Sequence, residues 1–180
     1  MINVKETKRE FLMYLLEKRI NKILDLGCGR GTMSKFFHKK GAKVIGIDIQ
    51  KTTEDSENFK FIEGDIKKED FEKENDLVIA SLILHALDKK DASEVINRMK
   101  DATSKEGYNL LVCMSNEDGL AKKKSEKFYP NFQELVKIYD NWHLIKEVKG
   151  MTKIEDHDNL GAHQHNLIFL LFQNGKTNKE

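Results

Sequence analysis

Residues 23–31 read Ile-Leu-Asp-Leu-Gly-Cys-Gly-Arg-Gly, an apolar run that ends in a glycine-rich turn. A short apolar run of this kind predicts a buried strand, here over 22–26. Glycines allow the chain to turn sharply and to approach a ligand closely. A helix is predicted from Thr32, as its cap, to Lys40. This strand–turn–helix unit predicts a ligand site beyond the carboxyl end of the strand.

Outward from this unit, strands and helices alternate along the chain. Further strands are predicted over 43–48, 59–63, 76–81 and 108–114, and helices over 5–19, 88–103 and 131–139. Strands within 142–154 and over 166–172 have no helical pattern between them, which predicts a long-looped antiparallel hairpin. The sequence therefore predicts one α/β domain over 1–180. Its sheet is doubly wound and mostly parallel, helices cover both faces, and the tail at 174–180 is frayed.

Composition and charge exclude several classes of protein. The 180 residues carry 31 Lys+Arg and 30 Asp+Glu, whereas non-specific nucleic-acid binders usually have a basic excess. Two cysteines exclude a disulfide-rich secreted domain. The charged N-terminus does not resemble a signal peptide, and no apolar run is long enough to span a membrane. We therefore expect a cytoplasmic protein for which nucleic acid is an unlikely partner.

Three carboxylates accompany the glycine turn at the ends of the first three predicted strands. Asp25 precedes the turn, Asp48 follows Gly29 by 19 residues, and Asp65 ends the third strand. Asp48 is placed to accept hydrogen bonds from two ribose hydroxyls, and Asp65 from an adenine amine. The third glycine, Gly31, comes one residue too early for the dinucleotide fingerprint. The three acids favour, as the ligand, a nucleoside that carries a cationic group, and they disfavour a ligand with a pyrophosphate.

The sequence resembles the class I S-adenosylmethionine-dependent methyltransferases in four segments. These segments are residues 23–31, 44–48, 64–66 and 76–85. The resemblance covers residues 22–172 and implies a Rossmann-like sheet of seven strands with an antiparallel last strand. It also implies a cofactor-binding half over 22–85 and a substrate-side half over 86–172. S-adenosyl-L-methionine is the implied cofactor. Its implied contacts are Asp25, Gly27, Cys28, Gly29, Gly31, Asp48, Ile49, Asp65, Ile66 and Ser81.

The fourth predicted strand ends in Ser81-Leu82-Ile83-Leu84-His85. It lacks the Asn/Asp-Pro-Pro-Tyr/Phe tetrapeptide of enzymes that methylate the exocyclic amines of bases. No Pro-Cys or Thr-Cys pair is present, which argues against methylation of cytosine at C5. His85 either orients a substrate or acts as a base, or it simply begins a helix.

A histidine-rich segment lies between the last two predicted strands. Residues 155–165 read Glu-Asp-His-Asp-Asn-Leu-Gly-Ala-His-Gln-His and hold three of the six histidines. His163 and His165, two apart in an extended segment, should point the same way. Three interpretations stay open. His157, His163 and His165 could contact the substrate or act as acid–base groups. They could instead form a metal site with Glu155 or Asp158, or belong to a hydrated tip without function. The segment also resembles the corresponding hairpin of tellurite-resistance-type methyltransferases.

Together these observations predict a methyltransferase that acts on a small molecule by in-line transfer, with a soft thiol or metalloid nucleophile as a candidate acceptor. The N-terminal helix and residues 116–130 are expected to form its lid. One alternative is methylation of RNA or protein, with Lys122–Lys124 and Lys127 contacting phosphate. Others are a cofactor-binding protein without catalysis and, less favoured, a nicotinamide enzyme. The acceptor and the oligomeric state are left open.

Overall fold

A seven-stranded sheet runs through the computed structural model, which describes residues 1–52, 54–156 and 161–175, with the side chains of Glu155 and Asp156 omitted. His157 and Asp158 of the histidine-rich segment, and the tail from 176, lie outside the described residues. The helices are α1 (Val4–Leu16), α2 (Ser34–His38), α3 (Lys89–Ala102) and α4 (Phe132–Ile138). The strands are β1 (Lys22–Leu26), β2 (Lys43–Asp48), β3 (Phe59–Glu63), β4 (Asn75–Ser81), β5 (Thr103–Met114), β6 (His143–Met151), β7 (Glu155–Asp156), β8 (Ala162–His163) and β9 (Asn166–Gln173).

The strand order in the main sheet is β3-β2-β1-β4-β5-β9-β6. Strands β1 to β5 pair in parallel, and β9 runs antiparallel to both β5 and β6. Strand β6 therefore runs parallel to the first five, so that its carboxyl end lies at the same edge of the sheet as theirs. The fold prediction, including the antiparallel last strand, is confirmed. The small β7–β8 sheet in the hairpin was not predicted, because two-residue strands leave no periodic pattern.

Apolar clusters cover both faces of the sheet, as expected for parallel strands buried on both sides. Helices α1 and α2 pack on one face, through residues such as Phe11, Leu15 and Phe37. Helices α3 and α4 pack on the other, through residues such as Ile96 and Leu135. No helix in the described part of the chain has the length and apolarity needed to cross a membrane.

Asparagine and aspartate side chains determine where three of the helices begin. Asn3, Asp88 and Asn131 each accept a hydrogen bond from the backbone N–H three residues further on, at 3.3, 2.8 and 2.8 Å. Such caps satisfy N–H groups that have no partner within the helix. The expected cap at Thr32 is wrong, because α2 begins only after Met33 and no side chain caps it.

Two predicted boundaries differ from the structure by several residues. Helix α1 ends at Leu16 rather than 19, where the Glu17 N–H bonds to the Tyr14 carbonyl oxygen and tightens the last turn. Strand β5 begins at Thr103 rather than 108. The Thr103 hydroxyl contacts the Met99 carbonyl oxygen and the Asn109 side chain, so the chain passes directly from α3 into the sheet.

Candidate functional site

The glycine turn after β1 is left-handed at three positions. Gly27, Gly29 and Gly31 have φ values of 61°, 49° and 66°, which side-chain-bearing residues rarely adopt. A Cβ atom on Gly27 would lie 2.4 Å from Cγ1 of Ile83, whereas one on Gly29 would have no neighbour within 4 Å. Packing therefore requires a glycine at position 27, while Gly29 faces open space.

Asp48 links the glycine turn to the end of β2. Its Oδ2 atom accepts a 2.8 Å hydrogen bond from the Gly29 N–H, and its Oδ1 atom accepts one of 3.2 Å from the Gln50 N–H. A carboxylate oxygen has two lone pairs, so each oxygen keeps capacity for a further donor. The Thr52 hydroxyl donates to the Gly29 carbonyl oxygen at 2.5 Å and holds the turn from its other side.

A cleft of about 290 Å³ opens beside this carboxylate. It brings together five of the ten predicted cofactor contacts: Gly27, Asp48, Ile49, Asp65 and Ile66. Ile49 is 76% exposed, which is unusual for a large apolar side chain and leaves an apolar wall open to a ligand.

Asp65, which also lines the cleft, already has partners. Its Oδ1 atom accepts a 3.0 Å hydrogen bond from the Lys67 N–H, and its Oδ2 atom lies 3.8 Å from Lys67 Nζ. The same ammonium group lies 3.2 Å from Asp91, so Lys67 bridges two acids on the cleft wall. An adenine amine that binds Asp65, as predicted, would therefore share the carboxylate with Lys67.

Asp25 is a buried carboxyl group beneath the turn, with only 3% of its surface exposed. Burial raises its pKa to about 6, an effect that the Ser34 hydroxyl and the Lys8 ammonium group oppose. Lys8 projects from α1, and burial lowers its pKa while Asp25 acts in the opposite direction. No pattern in the sequence pointed to Lys8, because its approach to Asp25 depends on how α1 packs on the sheet. The two opposite charges together suit a ligand that carries both an ammonium and a carboxylate group.

Cys28 fills space between the turn and β2. A Cβ atom on Gly46 would lie 2.8 Å from its sulfur, so a glycine in β2 makes room for the thiol. Burial, followed by the charges of Asp25 and Asp48, raises the pKa of Cys28 to about 12. The group therefore stays a thiol, which suits a packing residue rather than a nucleophile. Cys113 is likewise buried within β5.

The segment after β4 makes an unusual turn. Ser81 is half-buried at the end of the strand, and Leu82 has a left-handed φ of 57°, a strained conformation for a residue with a side chain. The turn places Ile83 over Gly27 and leads into a short 3₁₀ turn, Leu84–Ala86, that carries His85. No pattern in the sequence signals a left-handed leucine.

His85 is half-buried. The centroid of its ring lies 6.1 Å from the ring centroid of Tyr129. Its Nδ1 atom is buried and has no hydrogen-bond partner within the described part of the chain. Burial lowers the pKa of His85, and the nearby His165 and Lys124 lower it further. The lowered pKa favours the neutral imidazole, and the buried Nδ1 atom lacks a partner among the described residues.

His163 and His165 point the same way, as predicted, and their Nε2 atoms are 3.2 Å apart. His165 is 6% exposed, and its Nδ1 atom lies 3.1 Å from Oδ2 of Asp118. Asp118, from the loop after β5, was not among the predicted site residues, because 47 residues separate it from His165 in the sequence. Over the described ranges no group of three or more His, Cys, Asp or Glu side chains is arranged to hold a metal ion.

The loop between β5 and α4 packs against the 3₁₀ turn. Lys127 Nζ donates a 3.0 Å hydrogen bond to the Ala86 carbonyl oxygen. The Phe128 N–H donates one of the same length to the Leu87 carbonyl oxygen. The Lys122–Lys124 run on the same loop is exposed, as expected for a solvated surface. The loop therefore covers the ends of β4 and β5 and brings Asp118 to the histidines.

Comparison with known proteins shows a match to a protein family. The family model described as "Tellurite resistance protein TehB" matches residues 4–172. A curated relative, the "Probable S-adenosyl-L-methionine-dependent methyltransferase TehB" of Haemophilus influenzae, is 25% identical over 149 residues, which cover 78% of this chain and 52% of the relative. The chain thus spans about half the length of the curated relatives that it matches.

Solved structures share the fold. That of TehB from Haemophilus influenzae superimposes with a TM-score of 0.75 at 20% identity and covers 92% of this chain and 61% of that one. The N-methyltransferase NodS from Bradyrhizobium japonicum, solved in complex with S-adenosyl-L-homocysteine, has a TM-score of 0.73 at 13% identity, with coverage of 94% and 86%.

Proposed function

The chain belongs to the tellurite resistance protein TehB family, and on this premise we propose that it is an S-adenosyl-L-methionine-dependent methyltransferase with a small-molecule acceptor. The observation that carries the proposal is the bond from the Gly29 N–H to Asp48 at the mouth of the cleft. It presents a carboxylate beside open space, where the two hydroxyls of a ribose can be received. The curated relatives that the chain matches carry the same activity in their names.

The residues of the cleft fit the nucleoside part of this cofactor. Asp48 has free lone pairs for the ribose hydroxyls, and the exposed Ile49 and the buried Ile66 offer apolar surface to a base. Asp65 provides an acceptor for an exocyclic amine. An apolar slot with a few placed polar groups is the usual form of a small-molecule site.

The residues beneath the glycine turn fit the amino-acid part. Asp25 would neutralise the ammonium group of the methionine moiety, and Lys8 would bind its carboxylate. When bound, the cofactor supplies a methyl group already activated by its positively charged sulfur. The protein then has to orient the acceptor and exclude water, which are the main contributions to a reaction of this kind.

We place the acceptor near His85, His163 and His165. A buried Nδ1 atom on His85 with no partner in the described structure can hydrogen-bond an acceptor, and its neutral ring can remove a proton from a hydroxyl or amine. A thiolate or metalloid nucleophile would need only to be positioned, and it remains the acceptor class that we favour. The loop and hairpin around His163 and His165 leave a cavity of about 260 Å³, the size of a small molecule.

We also propose that the protein works in the cytoplasm. Both of its cysteines, Cys28 and Cys113, are free thiols, as is usual for proteins of a reducing compartment.

The experiment that tests the function has two stages. Purified protein is titrated calorimetrically with S-adenosylhomocysteine, and transfer of a radiolabelled methyl group to thiols and metalloid oxyanions is then measured. We expect binding in the wild type and its loss in Asp48→Ala, with Asp101→Ala, an exposed acid on α3, as the matched control. Tight binding without turnover on any acceptor would instead favour a non-catalytic cofactor-binding protein.

A further inference from the structure

The Lys67 side chain lies between two carboxylates on the wall of the cleft, and all three side chains line that cleft. Its Nζ atom is 3.2 Å from Oδ2 of Asp91 and 3.8 Å from Oδ2 of Asp65. The shorter distance permits a hydrogen bond, whereas the longer one does not. The hydrogen bond and the charge of Asp91, followed by the charge of Asp65, raise the pKa of Lys67. Asp91 is therefore the stronger partner of the ammonium group.

The main chain around Lys67 is fixed to helix α3. Nη1 of Arg98 donates hydrogen bonds to the carbonyl oxygens of Ile66 and Lys67, at 3.0 and 3.1 Å. The Lys67 N–H in turn donates to Oδ1 of Asp65 at 3.0 Å. The Lys67 ammonium group is partly exposed, and ion pairs of partly exposed groups are weak. The side chain can therefore exchange one carboxylate for the other while its backbone stays in place.

Helix α3 also positions Asp91. This residue lies in the first turn of the helix, and its N–H donates a 2.8 Å hydrogen bond to Oδ1 of the capping Asp88. The same helix thus holds the segment that carries Lys67, through Arg98, and supplies the carboxylate that binds its ammonium group.

The position of this ammonium group decides what Asp65 offers to a base. A lysine ammonium only donates hydrogen bonds, and the exocyclic amine of adenine also donates, so the two compete for Oδ2 of Asp65. We propose that Asp91 is a positioning residue that holds Lys67 away from Asp65 and thereby makes the cleft specific for an amino-purine.

With the ammonium group on Asp91, the Asp65 carboxylate is an acceptor for the amine. With the ammonium group on Asp65, the cleft presents a donor instead, which suits a base with a carbonyl oxygen in that place. This inference rests on the proposed function, because it requires a nucleoside whose base lies at Asp65.

The test is a calorimetric titration with S-adenosylhomocysteine and with S-inosylhomocysteine, in which a carbonyl oxygen replaces the amine. We expect the wild type to prefer the adenine compound by about tenfold. In Asp91→Asn, Lys67 is released to Asp65, so affinity for the adenine compound should fall about fivefold while that for the inosine compound does not fall. The double variant Asp91→Asn/Lys67→Gln has no competing ammonium group and should regain the preference of the wild type.

Asp101→Asn, which changes an exposed acid on the same helix, is the matched control and should bind both compounds as the wild type does. Asp91→Ala, with a stronger helix former at the same position, is a second variant in case Asp91→Asn does not fold. Equal losses for both compounds, or a loss that Lys67→Gln does not restore, would overturn the role of Asp91. Normal binding of S-adenosylhomocysteine by the wild type and by Asp91→Asn would reject this inference alone, whereas no binding by the wild type would reject the proposed function with it.

Discussion

The backbone N–H of Gly29 donates a 2.8 Å hydrogen bond to Oδ2 of Asp48, and this bond joins the turn after β1 to the end of β2. It makes the loop and the carboxylate one unit, in which the acid both shapes the turn and faces the cleft. Gln50 holds the second oxygen from below, so the carboxylate has little freedom to rotate.

Replacing Asp48 by Asn should weaken both of these roles. An amide has one oxygen and one NH₂ group, so one of the two backbone N–H groups would face a donor, and the ribose would lose its charged acceptor. We expect affinity for S-adenosylhomocysteine to fall at least tenfold and the free energy of unfolding to fall by about 1–2 kcal/mol. Calorimetry and urea denaturation measure both, with Asp101→Asn as the control. An unchanged affinity would mean that Asp48 does not contact the ligand.

The two glycines at positions 27 and 29 should respond differently to alanine. Both have left-handed φ values, which cost a residue with a side chain about 1–2 kcal/mol. Gly27→Ala also drives a Cβ atom into Ile83, whereas Gly29→Ala places it in open space. We expect Gly27→Ala to be clearly less stable in chemical denaturation, and Gly29→Ala to fold while binding the nucleoside weakly. Equal losses of stability would contradict this packing account.

Asp25 should make the stability of the ligand-free protein depend on pH. Its pKa is about 6 in the folded chain and 3.8 for the unperturbed group, so the folded state binds the proton more tightly. Stability is therefore lost as the pH rises from about 4 through about 6, and is constant above that. Asn does not ionise, so Asp25→Asn should gain up to about 3 kcal/mol relative to wild type at pH 8 and little at pH 4.

Urea denaturation of wild type and Asp25→Asn at several pH values measures this difference. The variant should also bind S-adenosylhomocysteine less well at pH 8, because the ammonium group loses its counter-charge. A stability difference that does not change with pH would show that the carboxyl group is not the source of the effect. Asp101→Asn again provides the control for an exposed aspartate.

Replacing His85 by Phe should separate stability from activity. The change removes a buried Nδ1 atom that has no partner in the described structure and keeps an aromatic ring beside Tyr129. We expect the free energy of unfolding to stay equal or to rise by about 1 kcal/mol. Methyl transfer to the acceptor should fall, while nucleoside binding is unchanged. A variant that is as active as His143→Phe would exclude His85 from the acceptor site.

Much of the fold was predictable because its signals are local. Buried strands have continuous apolar runs, glycines mark the turn, and an acid ends the second strand, so the position of Asp48 at the end of β2 was predictable. Lys8, Asp118 and the left-handed Leu82 were not predicted. Lys8 and Asp118 reach the site through the packing of α1 and the path of the loop after β5, which depend on contacts between residues far apart in the sequence.

Calorimetric titration with S-adenosylhomocysteine and, separately, with NAD tests the central claim most directly. The account predicts that the nucleoside binds one-to-one with micromolar affinity, that NAD gives no heat of binding, and that Asp48→Ala abolishes the first signal. Binding of NAD, or binding of S-adenosylhomocysteine that is unchanged in Asp48→Ala, would contradict the assignment of the cleft.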